Sequence, residues 1–445
     1  MTFAGEKLFV VPGRLQFTEF LSGEVMILNK DNKNNNDEWM NIAASTIRDS
    51  TKYDVLNLMN IAVDSLDNSH FFVTSFGTGL YEFRNYKFIK WHTPLNSTLE
   101  PHYLVPNNPY RYTRLDGAVF DKNDNLFLTN SSVDKKIKIL LKNGTWTSLK
   151  YEGLTNYDLG KILINNQNQN QKWVTAPHYG ALGVFDDNGT LDIQTDDKFI
   201  NFETFADADN EGSKISYKKG SCIAQDKNGI IWLGTDTGPL LFYNTSKVFD
   251  AGYTCSRVKI PRNNGTGLAD YLLQSEHVKA IAIDGANRKW IGTETSGAYL
   301  LSENGQETIE HFTASNSPLL SNDVLSIEIN PKTGEVFFGT GNGIVSYQSD
   351  AAESTGMYEN VHAYPNPVRE NFNGIITITG LVANTNVKIT DLNGNLICQT
   401  VSNGAIATWN GKDTNGNKVR TGIYLAICAN EDGTQSTITK IMVIN

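Results

Sequence analysis

The sequence predicts an all-β chain: a seven-bladed β-propeller over residues 1–348, a linker over 349–360 and a small Ig-like β-sandwich over 361–445. Three observations carry this. Ile230–Tyr243 reads Ile-Ile-Trp-Leu-Gly-Thr-Asp-Thr-Gly-Pro-Leu-Leu-Phe-Tyr, two apolar runs around a Gly-containing turn, which is a hairpin signature. The pattern returns at Lys289–Leu301 and Val336–Tyr347, and more loosely at Phe71–Tyr81, Lys172–Phe185, Leu126–Leu140 and Leu8–Gly13. It then stops at Ser349, where the composition shifts.

The aligned aromatic falls at Phe9, Phe72, Phe127, Trp173, Trp232, Trp290 and Phe337, with spacings of 63, 55, 46, 59, 58 and 47. A period near fifty residues of strand and turn fits one four-stranded propeller blade, so seven anchors predict seven blades. These aromatics are expected in the core between blades. The first and last blades each seem one strand short. A start on Leu8–Val11, in the second strand of a blade, predicts that the chain is the C-terminal part of a longer exported protein whose signal sequence lies upstream.

Between the blades lie three insertions, His92–Thr113, Asp192–Lys219 and Arg262–Ser275; long loops of this kind are often functional. Asp31–Asp37 reads as a polar turn and Asn165–Gln171 as a solvated hairpin tip. The linker is small and polar. Beyond it, Gly374–Thr379, Val387–Asp391, Leu396–Val401, Ile423–Ala429 and Thr437–Ile444 alternate as short strands with frequent turns, the pattern of a small sandwich.

Composition narrows the function. The formal net charge is −10 with no basic stripe, which argues against nucleic acid as a partner. No apolar run reaches the length of a membrane-spanning helix. The four cysteines, Cys222, Cys255, Cys398 and Cys428, form no Cys-x-x-Cys; Cys398 and Cys428 either pair or serve as two small buried residues. The seven histidines are scattered, and neither a His-Glu-x-x-His motif, a Gly-x-Ser-x-Gly elbow nor a Walker loop occurs. Asp207–Gly212 opens like an EF-hand loop, but its twelfth position is Lys218, where calcium needs a bidentate Glu. Asp413–Asn417 reads as a turn. No catalytic residue, metal ligand or cofactor is therefore assigned.

The Trp-Leu-Gly-Thr-x-x-Gly repeats resemble those of the two-component-regulator propeller family. The tail resembles the sorting-type C-terminal domains of type IX secretion substrates and the related FlgD-like Ig fold. The matching residues are Ala363-Tyr-Pro-Asn-Pro-Val, Val387-Lys-Ile-Thr-Asp-Leu-Asn-Gly, Trp409-Asn-Gly-Lys-Asp-Thr-Asn-Gly and Arg420-Thr-Gly-Ile-Tyr. Together with Leu8-Phe-Val-Val-Pro-Gly, the arrangement is similar to the C-terminal half of PorZ-type proteins. The resemblance implies a non-enzymatic component at the cell surface or in the periplasm. It would act in recognition or attachment of secreted cargo to lipopolysaccharide, with surface polysaccharide and other secretion-complex proteins as partners. The alternative is an extracytoplasmic propeller that senses a carbohydrate.

Propeller topology places the binding face. The middle-hairpin turns and the blade-to-blade connections open on one side of the channel, which collects Phe76, His178, Tyr179, Asp236, Glu294 and Asn342. The long insertions add Tyr103 and Tyr110. Aromatic platforms with polar rims suit sugars or proteins, although the same aromatics also serve to pack their own loops.

Overall fold

The computed structural model describes every residue except 14–20, 31–36, 155–157, 263–264 and 445. Most of the Asp31–Asp37 turn and part of Arg262–Ser275 therefore lie outside the described residues. The architecture is a seven-bladed propeller followed by a two-sheet sandwich.

Blade one has four strands, Thr2–Ala4, Lys7–Val10, Val25–Asn29 and Glu38–Ile42. The expectation of a missing strand is corrected here: Thr2–Ala4, three residues too short to show a period, forms the innermost strand by pairing Phe3 with Leu8. Its neighbour across the ring is blade seven, where Phe3 tilts against Phe337 at 5.4 Å and its N–H donates to Glu328. Blade seven is the exception among the blades. It has three strands, Val324–Ile329, Glu335–Thr340 and Gly343–Gln348.

The repeat motif acquires a physical meaning in the packing. Trp173, Trp232 and Trp290 are buried, as are Phe9, Phe72, Phe127 and Phe337. The motif glycine provides close approach. A Cβ at Gly292 would stand 2.7 Å from Val324 Cγ1, on the inner strand of the next blade. The motif threonine closes the turn: Thr293 Oγ1 donates to the Gly297 carbonyl at 2.9 Å and accepts from the Ser296 N–H at 2.9 Å.

Several connections differ from expectation. The outer strand of blade four, Lys198–Phe202, lies inside what reads as the polar insertion Asp192–Lys219. The rest of that insertion forms Phe205–Asp207 and Lys214–Ile215, which extend blade five to a six-stranded sheet. Asp207 is buried and paired with Arg257 at 3.0 Å, so its carboxylate serves this extension. The Asn165–Gln171 tip is not simply solvated. Asn165 and Gln171 are buried and bonded to each other, to Thr245 and to Gln225, because an amide side chain can satisfy several partners at once. An unexpected helix, Ala44–Thr51, covers the crossing from blade one to blade two.

The tail packs a three-stranded sheet, centred on Ile376–Thr379, over a four-stranded one ordered Leu396–Val401, Asn386–Thr390, Gly422–Ala429, Ser436–Val443. Its core is built on Ile378, Val387, Ile389, Trp409, Ala426 and Ile441. Cys398 and Cys428 are both free thiols.

Candidate functional site

In four blades the middle-hairpin turn is tied to the connection that precedes its own inner strand. The Phe76 N–H donates to the Asn57 carbonyl at 2.9 Å, Ser131 to Arg114 at 2.8 Å, Asp236 to Lys219 at 3.2 Å and Glu294 to His277 at 3.0 Å. The repeated bond puts Phe76, Asp236 and Glu294 at equivalent positions around one end of the ring. It also brings in residues that the motif search passed over, Arg114, Lys219 and His277, with Asp158 and Lys279 joined to them or to Glu294 by ion pairs.

At blades two to four, Phe76 is buried beneath the Arg114 guanidinium, 5.4 Å from its ring centre. Arg114 approaches Asp158 at 3.8 Å. Burial pushes the carboxyls of Asp158 and neighbouring Asp116 upward, and it holds the His178 imidazole below its ordinary value. Two carboxyls raised by burial, beside a guanidinium and an imidazole held below its ordinary value, make a polar lining rich in hydrogen-bond donors and acceptors.

At blades five and six, Asp236 Oδ1 accepts the N–H groups of Lys218 and Lys219 at 2.9 and 3.2 Å. Lys279 bridges Glu294 at 3.3 Å and Asp323 at 2.7 Å. Burial alone would raise the Glu294 carboxyl, but Lys279, with His277 and Lys219, outweighs it and the net shift is downward. His277 Nε2 meets Ser221 Oγ at 2.7 Å, and its Nδ1 faces Glu294 at 3.4 Å. These are the three roles of a nucleophile, base and orienting carboxylate. Here the carboxylate is shared with Lys279 and the imidazole–carboxylate contact is long, so the trio reads as a polar seam between blades. At blade seven, Asn342 Nδ2 donates to the Leu320 carbonyl at 3.1 Å.

The aromatics divide. Tyr179 is partly exposed on its turn, and Tyr103 is 63% exposed, stacked on His102 at 4.6 Å. Tyr110 is half-buried and stacked on Tyr53 at 4.4 Å with Trp91 beside it, so it anchors the His92–Thr113 loop. Among the described residues no group of three or more His, Cys, Asp or Glu is placed to hold a metal ion.

With this geometry established, residues 362–445 match the family model of a secretion system C-terminal sorting domain. Within the propeller, residues 220–237 match the two component regulator propeller model, at the inner strand and motif strand of blade five. Among solved structures the chain is similar to PorZ, a bacterial surface component of the type-IX secretion system of Porphyromonas gingivalis. The TM-score is 0.74 and the identity 29%, covering 100% of this chain and 59% of that one. The chain thus spans less than two thirds of that PorZ chain. The likeness takes in the propeller and the sandwich alike.

Weaker likenesses are to the extracellular domain of the one-component-system protein BT4673 of B. thetaiotaomicron, at TM-score 0.48 and 12% identity over 99% of this chain and 60% of that one. The WD40 propeller domain of Doa1 gives TM-score 0.46 and 12% identity over 78% and 90%. No curated relative matches by sequence. Among the described residues no helix is long and apolar enough to cross a membrane.

Proposed function

We propose that this chain is the propeller and sorting-domain part of a non-enzymatic cell-surface component of type IX secretion, acting in recognition or attachment of secreted cargo to surface lipopolysaccharide. The observation that carries the reading is the pairing of a sorting domain over residues 362–445 with a likeness to PorZ that extends over the whole chain. The partners are surface polysaccharide and other secretion-complex proteins. The binding face is the channel mouth formed by Phe76, His178, Tyr179, Asp236, Glu294 and Asn342, flanked by Tyr103 and Tyr110. The long blade-to-blade connections open on this face, and a rigid ring of strands leaves specificity to its loops.

The chemistry supports a polar, non-catalytic contact. Exposed rings of Tyr103 and Tyr179 offer stacking faces, Arg114 and Lys219 offer donors to sugar hydroxyls or acidic groups, and Asp158 offers an acceptor for sugar hydroxyls. The test is a lipopolysaccharide-binding assay on Tyr179→Ala and on a variant with His92–Thr113 shortened. Weaker binding in either, with the fold retained, supports the placement. Unchanged binding in both, with binding kept by residues 361–445 alone, moves the site to the tail. Ester or peptide turnover that disappears in Ser221→Ala would overturn the non-enzymatic reading.

A further inference from the structure

The outer strand of blade seven, Gly343–Gln348, pairs with Glu335–Thr340 on one edge and, among the described residues, with nothing on the other. Every other blade places a further strand there. The slot that is left has two walls. On the blade-six side, Leu300 pairs with Glu310 and Ala298 with Phe312, so Glu310 and Phe312 share the face that carries Leu300 against Phe338 of blade seven. On the blade-one side, Leu28 pairs with Trp39, so Trp39 shares the face that packs against Phe337 and Ile344. Trp39 is 51% exposed because no strand stands opposite it.

Exposed strand edges template pairing, and folded proteins blunt them with lysine, proline or a bulge. Gly-Ile-Val-Ser-Tyr-Gln has no charge and no proline, and its register with Glu335–Thr340 is continuous. The nearby cations are already engaged: Lys30 by Asp37 and Glu335, Arg288 by Asp284 and Asp350. Glu310 makes no ion pair among the described residues, and Tyr347, the exposed ring on this edge, lies in the field of Glu310 and Asp350. The slot is therefore apolar on one side and acidic on the other.

We propose that this edge is a β-augmentation site that takes an extended strand from a partner protein, with lysine or arginine alternating with β-branched aliphatic residues. Main-chain hydrogen bonds to Gly343–Gln348 would supply affinity, and alternate side chains would supply specificity. Basic residues on one face reach Glu310 beside Tyr347. Aliphatic residues on the other cover Trp39.

The probe is a blocked eight-residue peptide of alternating valine and lysine, compared with one of valine and glutamate. Binding is read by titration calorimetry, and hydrogen exchange of the Gly343–Gln348 amides locates it. The expected result is saturable binding of the lysine peptide with slowed exchange at these amides and weaker binding of the glutamate peptide. Glu310→Gln should lose about threefold to fivefold in affinity, the scale of an exposed ion pair, and Trp39→Ala should also weaken binding. Both substitutions are on the surface, so the fold is checked by circular dichroism. The proposal is overturned if neither peptide slows exchange at this edge, or if both do so equally. It is also overturned if the amides are protected without peptide in a concentration-dependent way, which would assign the slot to a second copy of the chain.

Discussion

Lys289 Nζ of blade six lies 3.0 Å from Asp226 Oδ2 of blade five, with both side chains shut off from solvent. Asp226 Oδ2 also accepts from Trp232 Nε1 at 3.1 Å, and Lys289 stands 5.1 Å above the Trp232 ring. Burial lowers the Lys289 pKa, opposed by the carboxylate. The pair thus stitches two consecutive repeats through the aromatic anchor of the first. Removing one partner strands the other charge in the core. Lys289→Ala should therefore destabilise the propeller by about 3–5 kcal/mol, whereas replacing both partners with apolar residues should recover much of that loss. Urea unfolding of the single and double variants checks this; equal loss in both would mean that cavity formation, not the stranded charge, dominates.

A polar network within blade two predicts a pH dependence. Glu82 binds His70 at 3.0 Å and His92 at 2.8 Å, while the other nitrogen of His70 meets Asp64 at 3.1 Å and Arg84 at 3.2 Å. Burial opposes the charged form of both groups, but the hydrogen bonds win. Glu82 is held down from 4.5 to about 2, and His70 is raised above 6.5. The Glu82 contribution to stability is present above pH 4.5 and lost as pH falls toward 2. The His70 contribution is present below pH 6.5 and lost as pH rises through its folded value. The gap in urea midpoint between the parent protein and His70→Gln should be widest between pH 4.5 and 6.5 and narrow on either side. A gap that does not vary with pH would remove the imidazolium from the account.

The motif glycine gives a steric prediction. Gly292→Ala places a methyl group 2.7 Å from Val324 Cγ1, where the inner strand of blade seven rests on blade six. The expected cost is about 1–3 kcal/mol, the usual penalty for overpacking a tight core. Thermal melting checks it, and a companion Val324→Ala change should recover part of the loss.

These contacts explain how far the sequence could be read. The anchors Trp173, Trp232 and Trp290 announce the blades because burial demands the same large residue at the same strand position. The Thr2–Ala4 strand was illegible because three residues carry no period. Lys198–Phe202 was hidden by the Asp and Thr around it. At the channel mouth, Asp236 and Glu294 follow directly from the motif turn. Arg114, Asp158 and His277 do not, because they sit in connections of irregular length; the repeated turn-to-connection bond places Arg114 and His277, and Asp158 joins through Arg114. His277 and Ser221 are 56 residues apart.

The segment between propeller and sandwich reads as a small polar linker and is built as a clamp. Ala351 and Ala352 are buried. The Ala352 carbonyl accepts the Ala405 N–H at 2.9 Å, and the Glu353 N–H donates to the Pro331 carbonyl at 2.8 Å. Arg288 holds Asp350 at 2.6 Å, and Asn403 of the sandwich reaches the other oxygen of the same carboxylate at 2.9 Å. Two glycines let the backbones meet: a Cβ at Gly285 or Gly404 would lie 1.9 or 2.0 Å from the Ala352 oxygen. We propose domain limits of 1–348 and 361–445, with residues 349–360 between them. The sandwich has its own apolar cluster, so residues 361–445 expressed alone should unfold cooperatively. In the whole chain, by contrast, cleavage of the intervening segment should be slow, because a protease needs extended, exposed backbone. Asp350→Ala removes the bonds to Arg288 and Asn403 while Arg288 keeps Asp284, and Gly404→Ala pushes the two backbones apart; each should speed cleavage between residues 349 and 360 while leaving the two halves folded. Limited proteolysis followed by mass spectrometry reads this directly. Rapid cleavage of the unaltered protein at Ala351 or Ala352 would show that the clamp opens in solution and that the sandwich is tethered, not docked.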